Sequence, residues 1–325
     1  MPVRSLLLRL AGLLAVLFGV SLIIFTLTYL APGDKAMAIA HARYPDAMGF
    51  APEILEGIRQ EFHLNAPFHM QFLHWLGGFV TGDFGLSYAS GAPVWDIFID
   101  NLGETATLAL AALTLGLVAA LVLSSLAVWH VGGWVDRLAI ILASVGAAMP
   151  GFWLGLLLIL FFAAQLNWLP AYGTGTAAHL VLPALTLAFW VMASQTRLLR
   201  TFMLEAYGLP FIETLRLRGV SEREIFLRHV LRHASIPALT MIGLDLAGLL
   251  EGAVIVELTF SRGGLGALLA GSVLARDFPM VVFLVMFFAV AYVTINSVIE
   301  IVQDAVDPRS RAGGAAAARK SGAQA

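Results

Sequence analysis

Residues 204–240 read LEAYGLPFIETLRLRGVSEREIFLRHVLRHASIPALT, a polar and basic stretch between long apolar runs. Seven arginines fall between Arg197 and Arg232. Positive charge of that density beside membrane-length segments marks a cytoplasmic side. The punctuation predicts short helices rather than an open loop. Gly208 is placed to end the incoming helix in the left-handed conformation. Pro210 suits the first turn of a new helix, where its missing N–H costs nothing. Ile212 and Leu215 share an apolar face, and Gly219 stops the helix after Arg216 and Arg218, whose charges suit a C-terminal dipole. Ser221-Glu222-Arg223-Glu224 predicts a capping box, with Ser221 as N-cap and Glu224 reaching back. Beyond it Glu224, Arg228 and Arg232 line one edge at four-residue spacing, opposite an apolar edge of Leu227, Val230, Leu231 and Ala234. The expectation is a short helix displayed at a sharp bend and braced by an amphipathic one. Such a shape suits docking.

Outward from the bend the chain is built for a lipid bilayer. Of 325 residues, 59% are hydrophobic and 12% charged, with a mean hydropathy of +0.86; soluble domains carry about 25% charged residues. There is no cysteine, which excludes disulfides, thiolate metal sites and cysteine nucleophiles. Six runs have spanning length: Leu10–Leu30, Ala106–Val128, Leu138–Ala164, Val181–Phe202, Ile236–Leu258 and Met280–Val302. Arg4 and Arg9 precede the first, which is longer than a typical signal-peptide core and is read as retained. With both termini placed in the cytoplasm, the inner segments hold fourteen Lys and Arg and the outer ones five. The reverse orientation does not fit.

Residues 32–102 form the longest polar region, with eight acids against Lys35, Arg43 and Arg59. An external loop is expected there, with a helix over Glu53–Phe62 and an aromatic interfacial helix over Phe68–Phe79 ended by Gly77-Gly78. Ser87, in the turns that follow, suggests itself as an outward labelling site. His41, His63, His69 and His74 lack a compact ligand spacing, although His69 and His74 could lie near each other; they read as interfacial histidines. Met149-Pro150 should kink the third span. The Ala- and Gly-rich tail over 313–325 is expected to be disordered.

Chemistry inside the spans concentrates in the fifth. Asp245 lies near its middle, and an acid at that depth faces a bundle interior or a watery path. Gly248 and Gly252 allow close helix approach. On a helical wheel Asp245, Gly248, Glu251 and Gly252 fall within about 120°, which makes them candidate pathway residues; Glu257 falls elsewhere and reads as structural. No nucleotide-binding glycine loop, His-Glu-x-x-His or Gly-x-Ser-x-Gly motif is present. Neither a catalytic centre, a cofactor nor a nucleic-acid partner is expected.

Glu213-Thr214-Leu215 followed by Gly219, with Arg216, Arg218, Ser221-Glu222, His229, Leu231-Arg232 and Ile236-Pro237, resembles the coupling segment of binding-protein-dependent ABC importer permeases of the dipeptide, oligopeptide and nickel family. The likeness continues through Pro32-Gly33-Asp34, Gly82-Asp83-Phe84-Gly85, Met149-Pro150, Phe260-Ser261, Gly264-Leu265-Gly266, Arg276-Asp277-Phe278-Pro279 and Asp307-Pro308-Arg309. It implies an all-α inner-membrane protein of a bacterium or archaeon, with the six transmembrane helices of the type I importer permease fold. A permease domain would cover 1–312, with an external scoop over 32–102 and a coupling segment over 204–235. The implied partners are a second homologous permease, two cytoplasmic ATPase subunits that hydrolyse ATP, and an external substrate-binding protein. Glu213, Thr214, Leu215, Arg216, Arg218 and Gly219 would carry the coupling. Leu217-Arg218, Gly263 and the acids Asp245 and Glu251 depart from the commoner pattern and tilt the expected cargo toward nickel or a metal chelate, with short peptides next. The alternative is an ion-coupled carrier using Asp245 and Glu251 as a proton relay, which predicts inverted repeats.

Overall fold

A computed structural model describes residues 3–44 and 47–306. Asp307-Pro308-Arg309 and the expected disordered tail lie outside the described residues. Among the described residues the regular structure is all helical, joined by loops, with one isolated bridge between Leu86 and Pro93. The helices are α1 (Val3–Leu30), α2 (Lys35–Arg43), α3 (Pro52–Glu61), α4 (Phe68–Thr81), α5 (Val94–Trp129), α6 (Trp134–Ala148), α7 (Gly151–Leu158), α8 (Ala177–Tyr207), α9 (Pro210–Leu217), α10 (Glu222–Glu224), α11 (Leu231–Thr259), α12 (Leu265–Leu274) and α13 (Phe278–Val306). π-helical turns extend α7 over Ile159–Gln165 and join α10 to α11 over Ile225–Val230.

Among the described residues four helices are long and apolar enough to cross a bilayer: Ala11–Leu30 of α1, α5, α8, and Phe278–Ile299 of α13. Two bent pairs raise the number to six if each counts as one span. Glu222–Leu239 turns by 46° into Met241–Thr259, and Trp134–Ala148 turns by 108° into Gly151–Gln165. The second angle exceeds a proline kink. Met149 is extended (φ −86°, ψ 125°), because the ring of Pro150 crowds the residue before it out of the helical region. Pro150 then caps α7, so the expected kink is a full break.

The chain forms two compact units, the first from the described residues up to Thr105 with Gly263–Val293, the second from Ala106–Arg262 with the described residues from Thr294 onward. In the first, Phe25 of α1 lies 5.4–5.6 Å from Phe68, Phe72 and Trp75 of α4. Val94, Phe98, Leu265, Met280, Phe283 and Leu284 make its apolar core. Asp277 accepts hydrogen bonds from the Ser87 hydroxyl and from Tyr88 N (2.9 Å), fastening the 87–90 turn. Two boundaries move. α4 runs through Gly77 and Gly78 and ends at Gly82 (φ +83°), with Asp83 N donating to Gly78 O at 2.8 Å; glycine at 78 is required because a Cβ there would stand 2.7 Å from Asp83 O. α5 begins at Val94, inside the stretch expected to be loop.

In the second unit α8 is the hub. Glycines on three neighbours receive its side chains, and a Cβ at Gly116 of α5, Gly146 of α6 or Gly248 of α11 would stand 2.6 Å from Val191, Ala193 or Trp190. Small residues bring the backbones together where lipid offers no hydrophobic drive. Arg200 of α8 also holds buried Asp136 through Nε (2.6 Å) and Nη2 (2.8 Å).

Candidate functional site

The bend between α8 and α11 is made by residues acting locally. Gly208 is not left-handed; it stays right-handed (φ −76°), with its N–H bonded to Leu204 O and Glu205 O. The turn comes one residue later. Pro210 drives Leu209 extended (φ −74°, ψ 138°) and then opens α9 as its first residue. Ile212 is fully buried against Met203, Ala206, Ile225, Phe226 and Val230, which anchors α9 on the bend. At its other end Gly219 is left-handed (φ +76°). Gly219 N bonds Arg216 O at 2.9 Å and Val220 N bonds Leu215 O at 3.1 Å, so the last carbonyls are satisfied.

Ser221 accepts from Glu224 N at 3.3 Å, the forward half of the expected box. The reciprocal half is replaced. The Glu224 carboxylate takes Arg228 Nη1 at 2.6 Å, as the four-residue spacing along the charged edge suggested. The apolar edge is shifted too: Ile225, Phe226, Val230 and Ala234 are buried while Leu227 is exposed, because the π turns rotate the face by part of a turn.

Of the expected docking residues, Arg216 is engaged within the bend. It bonds Glu222 through Nε (2.6 Å) and lies over the Tyr207 ring at 5.7 Å. Glu213, Thr214, Arg218 and Gly219 are exposed, Leu215 is half-buried, and Leu217 is 85% exposed. Beside α9 opens a cleft of about 780 Å³ bordered by Trp129, His130, Tyr207, Gly208, Arg216 and Glu222. Leu217 is thus an apolar side chain held out at the end of a helix that Ile212 anchors and Gly219 stops.

The second set of residues divides. Asp245 is 4% exposed and accepts a hydrogen bond from the Gln195 amide of α8. A Cβ at Gly248 would meet Trp190, and one at Gly252 would lie 3.0 Å from Leu187, so both glycines face α8. Glu251 is exposed, and Glu257 is fully buried. Gln195 Oε1 and Thr196 Oγ1 are buried without a hydrogen-bond partner among the described residues. No spacing rule pointed to Gln195, fifty residues from Asp245. Among the histidines His63 packs on His74 at 5.4 Å. No group of three side chains suited to a metal forms among the described residues.

Helices of this length and apolarity are those of a multi-pass membrane protein. The chain belongs to the binding-protein-dependent ABC importer permeases: residues 112–312 match the binding-protein-dependent transport system inner membrane component, and residues 2–109 match the N-terminal part of such components. It is 38% identical to the glutathione transport system permease protein GsiC of Escherichia coli strain K12 over 307 residues, 93% of this chain and 97% of that one. It is 37% identical to the protein of the same name from Shigella flexneri over an equal length. In fold it is similar to the MetNI methionine ABC transporter in inward-facing form (TM-score 0.53, 16% identity, 65% of this chain and 96% of that one). An amino acid ABC transporter crystallised with histidines is comparable (TM-score 0.53, 18% identity, 64% and 94%).

Proposed function

We propose that this chain is one half of the translocation pathway of an ATP-driven importer of short peptides, glutathione-like ones included, and that it is driven through α9. The observation that carries the reading is α9 itself, anchored by buried Ile212, stopped by Gly219, and presenting Glu213, Thr214, Leu217 and Arg218 outward. Two ATPase subunits are the partners such a surface fits, with a second permease completing the pathway and an external binding protein delivering cargo. Six spans with both termini cytoplasmic, in the inner membrane of a bacterium, agree with the distribution of basic residues. The relatives named for glutathione support peptides ahead of nickel or a metal chelate. Membership of a binding-protein-dependent family leaves the ion-coupled carrier without support.

We place the Asp245–Glu251 stretch beside the pathway. Glu251 is open to a solute, while Asp245 with Gln195 forms a polar seam behind it. The test of the main reading is Gly219→Val, which forces a β-branched residue into a left-handed position, together with Glu213→Lys. Both are expected to leave the protein inserted at normal levels, while peptide uptake in reconstituted vesicles falls by about tenfold or more and ATP hydrolysis no longer responds to cargo. Uptake at the wild-type rate with normal ATPase association would sink the docking role of α9.

A further inference from the structure

The first unit contains a cavity of about 470 Å³, within the range of small-molecule sites. Its walls are aromatic, with Phe25, Trp75, Phe84, Tyr88 and Phe278 among them. The charged groups that line it are unevenly satisfied. Glu61 is taken by Arg43 at 2.6 and 2.8 Å, and nearby Asp34 is taken by Arg59 at 2.6 Å. Lys35 is different. Its ammonium is half-buried, 5.0 Å from the Tyr29 ring centroid and 5.4 Å from that of Phe278, and no carboxylate meets it among the described residues. Burial without a counter-charge pushes its pKa below the ordinary lysine value, a cost that a bound anion would remove. Asp83, which also lines the cavity, is exposed: one oxygen accepts from Gly85 N at 3.1 Å, and no cation among the described residues faces it, so it is free to meet a ligand's positive charge. At the rim His63 holds a left-handed backbone (φ +50°), uncommon outside glycine, and packs on His74.

An unpaired ammonium and an unpaired carboxylate around an aromatic cavity are complementary to a zwitterion with an apolar side chain. We propose that this cavity binds a short peptide, with its α-carboxylate on Lys35, its amino group toward Asp83 and a side chain against the aromatic wall. The choice of a peptide rests on the importer reading above, but binding here needs no ATPase, so the two fail separately. Loss of coupling in the Gly219 variant tests the importer, and ligand binding by the isolated permease tests the cavity.

The experiment uses the full chain in phosphatidylcholine nanodiscs, with no ATPase present. Tryptophan fluorescence is titrated with alanyl-phenylalanine, its C-terminal amide and its N-acetyl form. A saturable change is expected with the free peptide and is expected to disappear in Trp75→Phe, since Trp75 lines the cavity. The amide should bind about tenfold more weakly or worse, as a charge-assisted bond is lost, and the N-acetyl form should also weaken. Lys35→Gln should bind acid and amide alike, while Lys35→Arg keeps the preference, which a purely structural lysine would not predict. Absence of a saturable change, equal binding of acid and amide by the wild-type chain, or a preference retained in Lys35→Gln would overturn the proposal. So would loss of the peptide signal on replacing zwitterionic phosphatidylcholine with anionic phosphatidylglycerol, because Lys35 would then be serving an anionic lipid headgroup.

Discussion

At the residue scale, the two acids of α11 differ in what surrounds them. Asp245 is buried and receives the Gln195 amide, whereas Glu251 is exposed. Asp245→Asn keeps an acceptor for Gln195 and should fold normally. Asp245→Leu removes it and is expected to cost about 1–3 kcal/mol, read as a lower thermal midpoint of the purified protein. If both acids border the pathway, Glu251→Gln and Asp245→Asn should each lower uptake of a cationic dipeptide, by roughly fivefold or more in the double variant. Unchanged uptake in the double variant, at matched protein levels, would assign both acids to packing alone.

At the scale of elements, the chain's local punctuation was readable and its long-range pairings were not. Pro210 and Gly219 bracket α9 because each acts on its own backbone. Ser221 caps as its hydroxyl allows. Gly208 misled because a glycine permits a left-handed turn without requiring one, and the restriction on Leu209 before Pro210 had already made the bend. Leu227 misled because the face was counted at 3.6 residues per turn through a stretch that is wider. The Gly248 and Gly252 stripe was visible, but not that Trp190 and Leu187 of α8 would fill it. Gly248→Ala should therefore push against Trp190 and destabilise by about 1–3 kcal/mol, with part of the loss recovered by Trp190→Leu. Equal thermal midpoints for wild type and Gly248→Ala would show that the contact is loose.

At the scale of the whole molecule, the open question is orientation across the bilayer. The chain lacks cysteine, so one introduced thiol reports on one place. Ser87, attractive in the sequence, is a poor choice because it is buried and bonded to Asp277, 190 residues away. Ser90, three residues on, is exposed. Ser90→Cys should react with a membrane-impermeant maleimide added to intact cells, and a reporter that is active only in the cytoplasm should work at the C-terminus. Labelling of Ser90→Cys only after permeabilisation would reverse the orientation. Four of the six expected spans were legible as apolar runs that fold into single membrane-length helices among the described residues, and so was the bend. The depth of the break at Met149-Pro150 was not, because a proline in an apolar run reads the same whether the helix bends or folds back.

α8 also has a mechanical consequence. It is one unbroken helix of 31 residues, about 46 Å of rod at 1.5 Å per residue, and it leads directly into the turn that presents α9. Three glycine notches, on α5, α6 and α11, grip its sides. A shaft held in such bearings resists tilting alone, so a tug on Leu217 should swing its neighbours with it. Were α9 the docking helix proposed above, a motor's stroke would arrive as the joint movement of α8 with α5, α6 and α11, geared by the length of a single axle.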